Sequence, residues 1–179
     1  MKVTREQASQ NRDRVLEVAG RLFRERGFDG IGVADLMKSA GLTHGGFYGQ
    51  FASKEELMAQ AIVQALLKAL GDLNGIIGVL VGHAMASQED SKEIYKVGLN
   101  TSRALMAVGD VIISWLLLRQ ADIAAEKLPT ATGKDKDFYT GKIAAAHYFV
   151  HNVLPHITAD RKIVEATDNT IMDLPEGAF

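Results

Sequence analysis

Apolar residues recur at helical spacing along most of this chain. The first such pattern predicts a helix from about Thr4 to Arg26, with Gly27 at its end, because apolar positions three and four residues apart share one face. Those positions are Val15, Val18, Ala19, Leu22 and Phe23. Thr4 and Gln7 have the spacing of a capping box, which marks the N-terminus of this helix.

The stretch from Val33 to Phe51 predicts two short helices joined by a tight turn. Gly41 stands where a left-handed residue commonly ends a helix, and Thr43 stands where its hydroxyl would cap the next one. The second helix would bury Phe47 and Phe51 and turn a small, polar and aromatic face outward. That face consists of Thr43, His44, Gly45, Tyr48 and Gln50. Such a face suits the major groove of DNA, so the pattern predicts a helix-turn-helix.

The residues flanking this motif complete the prediction. Phe28 and Ile31 are expected to close the core beneath it, and Ser53 with Glu56 forms a capping box that begins the following helix. Lys54 lies in the first turn of that helix, where a cation is electrostatically unfavourable. Since a helix N-terminus attracts anions, a phosphate group nearby would explain Lys54.

The second half of the chain predicts a helical domain. The segment GDLNG has turn chemistry, so we expect a boundary near Gly71 to Gly75, between an N-terminal domain of residues 1–70 and a second domain of residues 71–179. The four glycines between positions 71 and 82 fall roughly on one helix face. They either permit tight helix packing or mark the join between the two domains.

Two further helices are predicted in this domain. The more apolar one extends from about Leu105 to Ala125, with Trp115 near its middle. The other covers Asp137 to Ile157 and is either interrupted or ended at Pro155. A helix that is apolar on most sides must be covered by neighbours, either in a bundle core or across a subunit interface.

Composition narrows the class of protein. Of 179 residues, 47% are apolar and 23% charged, and only three are proline, which favours an all-α globular protein. The net charge of −2 disfavours indiscriminate nucleic-acid binding but permits a local basic face. The N-terminus lacks the apolar segment of a signal peptide, and the apolar stretches 76–81 and 111–118 fall short of the ~20 residues that span a bilayer. We therefore expect a cytoplasmic protein with no membrane partner.

No pattern points to catalysis, a cofactor or a metal site. The chain has no cysteine, and His147 and His151, four residues apart, lack a neighbouring carboxylate in the HExxH manner. The pair Glu55 and Glu56 is explained as exposed helix-start residues. We therefore predict that the chain is not an enzyme and holds no cofactor.

The first helix carries a surplus of arginine over acidic residues. Most of these charges are explained by a solvated helix face. The alternative, for Arg5 and either Arg12 or Arg14 near the first turns, is contact with DNA phosphates.

Residues 9–62 resemble the DNA-binding domain of the TetR family of bacterial transcriptional regulators. The resemblance is carried by LFRERGFDGIGVADLMKSAGL, by THGGFYGQF and by the SKEEL that starts the next helix. It implies phosphate contacts for Tyr48 and Lys54. It implies base contacts from the segment containing Thr43, His44, Gly45 and Gln50.

Residues 43–51, termed here the reading segment, contain glycines that weaken a helix. Gly45, Gly46 and Gly49 each cost up to ~1 kcal/mol relative to alanine. Either the helix is weakly formed, or the glycines allow close approach to the DNA backbone and order is completed on binding.

Residues 74–179 resemble a different protein, the extra C-terminal helical domain of some large bacterial acyl-CoA dehydrogenases. The segments that carry this are YKVGLNTSRALMAVGDVIISWLLLRQADIA, DFYTGKIAAAHYFVHNVLP and ADRKIVEATDNTIMDLPEGAF. In those enzymes the flavin site and the catalytic glutamate belong to earlier domains. The resemblance therefore implies shared ancestry and an oligomer or acyl-chain surface, without redox activity.

Together these observations predict an all-α homodimeric repressor that binds a palindromic operator in double-stranded DNA. A small apolar or acyl-CoA-type effector would release it. The aromatic and apolar residues expected at the effector pocket are Trp115, Leu105, Tyr148 and Phe149, for which ordinary core packing is the alternative. The rival prediction is a helical interaction module that no longer reads DNA.

Overall fold

The computed structural model describes residues 4–27 and 30–178. Within these ranges the chain forms six α-helices, three short 3-10 turns and no β-strand, so the all-α prediction is confirmed. The helices are α1 (Arg5–Arg26), α2 (Val33–Ser39), α3 (Lys54–Ala86), α4 (Glu93–Lys127), α5 (Gly133–Asn152) and α6 (Pro155–Glu165).

Helix α1 begins and ends where its sequence signals lie. The Thr4 hydroxyl accepts a hydrogen bond from the Gln7 backbone N–H at 3.2 Å. Gly27 ends the helix with a φ of 74°, and Gly41 follows α2 with a φ of 71°, a backbone conformation that glycine adopts at little cost. Ile31 is buried as predicted. Phe28, predicted beside it, lies outside the described residues.

The second helix of the predicted helix-turn-helix does not form as an α-helix. The structure has one 3-10 turn, His44–Gly46, followed by turn residues 47–50. Thr43 precedes it without making the predicted side-chain cap. The physical reason is local: three glycines within five residues weaken the helix, and so short a segment cannot recover the cost of nucleation.

Helix α3 is continuous through the turn predicted at Gly71 to Gly75. Leu73 and Ile76 are buried there, and the neighbouring Asp72 carboxylate accepts a hydrogen bond from the Thr158 hydroxyl of α6 at 2.5 Å. Packing against α6 therefore holds the helix where glycine and asparagine alone would favour a turn.

Two separate hydrophobic clusters lie along α3. The first joins α1, α2 and the reading segment to the start of α3 and includes Phe23, Leu36 and Leu57. The second joins the later part of α3 to α4, α5 and α6, and includes Ile76 and Val150. Helix α3 is therefore the element shared by the two cores.

The C-terminal helices differ from the prediction mainly at their ends. Helix α4 is longer than the predicted apolar segment, and α5 begins at Gly133 and ends at Asn152. Pro155 does not end a helix: it occupies the first turn of α6, where its missing N–H costs nothing.

Two helical segments, Lys54–Ala86 and Glu93–Thr130, are long and apolar enough to cross a membrane by length and composition alone. The sequence prediction considered only short uninterrupted runs, whereas the apolar residues of these segments are spread along the helices. Only 22% and 17% of their most apolar windows are buried. A large apolar surface is thus exposed on one copy of the chain.

Candidate nucleic-acid interface

The reading segment is anchored by aromatic side chains. Phe47 and Phe51 are buried with ring centroids 5.6 Å apart, within the first hydrophobic cluster. Their burial was predicted, and it fixes one side of a segment that has little helical structure of its own. The opposite side is turned to solvent.

Tyr48 lies on this solvent side with 64% of its surface exposed. Its ring meets the ring of Phe47 edge-on at 5.2 Å and that of His44 edge-on at 5.9 Å. Edge-to-face contacts of this kind are favourable for aromatic pairs. The phenol group is thereby held in a defined direction while remaining accessible, as a phosphate-contacting residue requires.

The predicted base-contacting residues are distributed unevenly. Thr43, His44 and Gly45 are exposed. Gln50 is half-buried, and its side-chain Oε1 is enclosed with no hydrogen-bond partner among the described residues. The structure therefore exposes the first turn of the reading segment to solvent and partly buries Gln50 near the end of the segment.

The N-terminus of α3 is satisfied by groups of this chain. The Ser53 hydroxyl accepts from the Glu56 backbone N–H at 3.1 Å, and a Glu56 carboxylate oxygen accepts from the Ala52 backbone N–H at 2.6 Å. The pKa of Glu55 is lowered, first by a backbone hydrogen bond and then by Ser53. These side chains therefore occupy backbone N–H groups that a phosphate could otherwise contact at this terminus.

Arg12 joins the end of the reading segment to both neighbouring helices. One terminal nitrogen, Nη1, donates to the backbone oxygen of Gln50, and Nη2 donates to Gln60 Oε1 of α3 at 2.6 Å. The guanidinium also lies 4.6 Å from the centre of the Phe51 ring, a cation–π contact.

Glu56 completes this arrangement from the other side. One of its carboxylate oxygens accepts from the Gln60 side chain at 2.7 Å, while the other accepts from Ala52 as described above. Arg12, Gln60 and Glu56 therefore form a polar clamp on residues 50–52. We refer to these three residues as the clamp.

The clamp was not predicted from the sequence, which left two alternatives for Arg12: a solvated position or a contact with a DNA phosphate. The position of Arg12 on α1 could have indicated its contacts inside the protein. Arg12 is three and four residues before Val15 and Leu16, so it shares their buried face. Arg5 and Arg14, by contrast, are exposed.

Most of the residues predicted for an effector pocket are exposed to solvent in one chain. Leu105, Trp115 and Tyr148 are exposed, and Phe149 is half-buried. The Arg119 guanidinium lies 5.5 Å from the centre of the Trp115 ring. The pocket stays a prediction, and these side chains need a further surface to enclose a ligand.

His147 and His151 pack against the N-terminal part of the protein. Their rings are 4.3 Å apart, and the ring of His147 lies 6.5 Å from that of Phe23 on α1. Burial lowers the pKa of His147, so the neutral imidazole is favoured. Among the described residues, no three histidine or acidic side chains come together as metal ligands.

Comparison with known proteins supports both resemblances. Residues 35–175 match the family described as acetyl-CoA dehydrogenase C-terminal like. The broad-specificity linear acyl-CoA dehydrogenase FadE5 of Mycobacterium tuberculosis is 50% identical over 115 residues, which are 64% of this chain and 19% of that protein.

Similarity to transcriptional regulators is weaker. The regulator TtgR of Pseudomonas putida is 29% identical over 110 residues, or 62% of this chain and 47% of that protein. The regulator AcrR of Shigella flexneri is 33% identical over 57 residues, or 32% of this chain and 26% of that protein. This chain thus spans about a fifth of the dehydrogenase and less than half of either regulator.

The family match begins at Asp35, well before residue 74, where the sequence resemblance to the dehydrogenase domain was placed. It therefore includes most of α2, the reading segment and all of α3. Because the match covers most of the chain, this protein belongs to the acetyl-CoA dehydrogenase C-terminal-like family, with additional similarity to TetR-type regulators.

Proposed function

We propose that this protein is a sequence-specific DNA-binding transcriptional regulator. The observation that carries the proposal is the reading segment: Tyr48 is held outward by two aromatic contacts while the clamp fixes the segment's other end. Phosphate contacts by Tyr48 and Lys54 would position the segment, and the exposed Thr43, His44 and Gly45 would face the bases. Gln50 would have to turn its side chain outward to join them. Similarity to named regulators supports this assignment.

The proposal divides the chain into a DNA-binding domain of residues 1–70 and a dimerisation domain of residues 71–179. The two hydrophobic clusters support a division into two units, but the change from one core to the other comes earlier on α3: Ala61 belongs to the first cluster, and Ile62 already packs against the second. Helix α3 spans the boundary and would transmit movement of one domain to the other.

The regulator is proposed to act as a homodimer in the cytoplasm. A compact monomer of 19.4 kDa exposes about 8,500 Å², whereas this chain exposes 11,490 Å². The excess of about 3,000 Å² is somewhat larger than the roughly 1,000–2,500 Å² that one subunit of an obligate dimer buries, so a subunit interface would account for most of it. Two copies would place two reading segments on a palindrome, about one helical turn apart.

The exposed apolar surface identifies where the second copy would pack. Along α3, exposed apolar side chains follow one another at intervals of three, four or seven residues and so share one face. This face, termed here the apolar stripe, consists of Val63, Leu67, Leu70, Ile77, Val81 and Met85. A bilayer is a poorer partner, because Lys68 and Asp72 form an ion pair near the middle of the same helix.

A small apolar or acyl-type effector is proposed to release the dimer from its operator, which makes the protein a repressor. The effector must favour one of two dimer geometries to change operator affinity. Leu105, Trp115, Tyr148 and Phe149 are the residues proposed from sequence to meet it. No catalytic role is proposed, since the matched family is the C-terminal-like part of the dehydrogenase.

Selection of bound sites from random duplex DNA tests this function directly. We expect enrichment of a palindrome, lost in Tyr48→Ala and in Lys54→Ala. Matched controls are Tyr95→Ala, an exposed tyrosine on α4, and Lys134→Ala, a lysine in the first turn of α5. Absence of any enriched sequence at moderate salt would overturn the proposal.

The second candidate is a helical interaction module without DNA readout. It is favoured by one observation, the single 3-10 turn that replaces a regular reading helix. The two candidates differ in salt dependence: a DNA reader loses affinity steeply as salt rises, because phosphate contacts release counterions.

A further inference from the structure

Two histidine side chains lie where α5 packs against α1. His151 has only 4% of its surface exposed, and the centre of its ring lies 4.3 Å from that of His147. Gly20 of α1 faces His151: a Cβ at position 20 would lie 3.7 Å from the His151 ring carbon Cε1. The ring of Phe23, three residues further along α1, lies 6.5 Å from the ring of His147. We refer to His147 and His151 as the histidine pair.

The histidine pair lies between the two hydrophobic clusters. Phe23 belongs to the N-terminal cluster, whereas Val150, the neighbour of His151 in the chain, belongs to the C-terminal one. Apart from its packing on the shared helix α3, α1 meets the C-terminal helices chiefly through α5. A change at the histidine pair therefore acts where the N-terminal part of the chain rests on the C-terminal helices.

Three charged side chains border an open cleft that His151 also lines. They are Glu17 and Arg21 of α1 and Lys68 of α3. All three are exposed, and Arg21 and Lys68 are each ion-paired within their own helix. The polar group that α6 contributes to the cleft, the Thr158 hydroxyl, does not titrate. Because water and salt screen exposed charges, these groups act only weakly on the histidine pair.

His147 is the member of the pair whose ionisation the contact opposes. Burial lowers its pKa, and no charge among the described residues contributes to this shift. On α4, Asp110 has its electrostatic interactions with groups of α6, and the Arg119 guanidinium lies over the Trp115 ring. The Nε2 atom of His147 is enclosed with no hydrogen-bond partner among the described residues. A proton added to His147 would place a charge in an apolar site, so the closed contact favours the neutral imidazole.

We propose that the histidine pair is an acid-sensitive joint: protonation of His147 separates α5 from α1 and opens a contact that is closed at neutral pH. Once the helices separate, the imidazole is hydrated and takes up a proton near its ordinary pKa of 6.5. Since the pKa is lower in the closed state, the contact is fully stable above this ordinary value and weakens as the pH falls below it. For uptake of one proton, the population of the open state should rise about tenfold from about pH 7.5 to about pH 5.5.

The joint would make the regulator respond to acid as well as to an effector. Helix α1 carries Arg12 of the clamp, so a freed α1 changes how the reading segment is held relative to the C-terminal helices. Operator affinity should then fall in proportion to the fraction of molecules that remain closed. This consequence rests on the proposed DNA-binding function, whereas the opening of the contact does not.

Hydrogen exchange of the full chain without DNA, read by mass spectrometry over the same pH range, tests the joint. After correction for the intrinsic pH dependence of exchange, protection of residues 15–23 and 143–151 should fall about tenfold at the acidic end. His147→Phe keeps a buried ring that cannot take up a proton, so its protection should stay nearly constant. His156→Phe makes the same substitution at an exposed histidine of α6 and should respond as the wild type does. Thermal unfolding checks that both variants remain folded.

Two results would overturn the joint. One is the same loss of protection in wild type and in His147→Phe, which would assign the acid response to other groups. The other is a loss of protection spread evenly over all helices, which would indicate global unfolding. His147→Gln provides a second non-titrating variant should phenylalanine prove too large for the site.

Operator affinity of wild type and His147→Phe, compared at each pH, tests the regulatory step separately. The comparison cancels any titration of His44 in the reading segment, because both proteins carry it. A ratio of affinities that does not change with pH would reject the regulatory step alone. Absence of DNA binding at every pH would reject the proposed function and leave the joint itself standing.

Discussion

Arg161 of α6 lies directly across Gly75 of α3. A Cβ at Gly75 would lie 2.5 Å from Arg161 Nε, far closer than a side chain tolerates. Arg161 donates from Nη1 to Asp72 Oδ1 at 3.3 Å and from Nε to Glu165 at 2.7 Å. The absence of a side chain at position 75 therefore lets α6 pack on α3 with its arginine correctly placed.

Alanine substitutions should distinguish the role of Gly75 from that of the other glycines on α3. Gly78 has open space around its Cβ position, so Gly78→Ala should stabilise the protein by up to ~1 kcal/mol through helix propensity. Gly75→Ala should give no such gain, because Arg161 must move and its hydrogen bonds to Asp72 and Glu165 are disturbed. Urea unfolding of both variants measures the difference; an equal gain in both would contradict the packing role of Gly75.

Acid unfolding should depend on Asp72. Burial by itself would raise the pKa of Asp72, but hydrogen bonds from Lys68 and Thr158 outweigh it, so the pKa is lowered below the ordinary 3.8. Because the pKa is lower in the folded state, the carboxylate stabilises the fold at pH values above its unfolded-state pKa. This stabilisation is lost as the pH falls through the folded-state pKa.

Asp72→Asn should accordingly lower the free energy of unfolding near neutral pH. In this variant that free energy should also fall less steeply as the pH is lowered. Urea unfolding measured from about pH 6 to about pH 3 detects this change in slope. Asp135→Asn, in the exposed first turn of α5, serves as the control. The same acid profile in wild type and Asp72→Asn would show that this carboxylate does not contribute.

Arg12 should affect DNA affinity without touching DNA. Arg12→Lys keeps the charge but loses the paired donors to Gln50 and Gln60, and we expect operator affinity to fall by about tenfold. The dependence of affinity on salt should stay unchanged, because no phosphate contact is removed. Lys54→Ala, by contrast, should reduce the salt slope by about one.

Arg14→Ala, an exposed arginine on the same helix, is the control for this clamp experiment. Circular dichroism at the assay temperature establishes that each variant is folded. A reduced salt slope in Arg12→Lys would instead assign Arg12 to a phosphate contact.

Charge placed in the apolar stripe should dissociate the dimer. Leu67 is 61% exposed in one chain, and Leu67→Glu would bury a carboxylate against the partner, at a cost of several kcal/mol. Sedimentation equilibrium should show a monomer for this variant. Leu174→Glu introduces the same change at an exposed leucine outside the stripe and should leave the dimer intact. Flotation of wild-type protein with liposomes would assign the stripe to a membrane instead.

Much of the secondary structure follows from short-range signals in the sequence. Thr4 and Ser53 accept hydrogen bonds as capping residues where the capping-box pattern places them, and Gly27 and Gly41 end their helices with positive φ angles. These features were predictable because each depends on a few neighbouring residues. The all-α class and both family resemblances were likewise apparent from the sequence and are confirmed.

Tertiary structure decided the features in which local and long-range preferences compete. At Gly71 to Gly75 the local sequence favours a turn, yet contacts with α6 keep α3 helical. In the reading segment, Phe47, Phe51 and the clamp hold a glycine-rich turn that cannot sustain an α-helix alone. The direction of Arg12 depended on Gln50 and Gln60, which are distant in sequence, so only the folded chain could place its guanidinium inside.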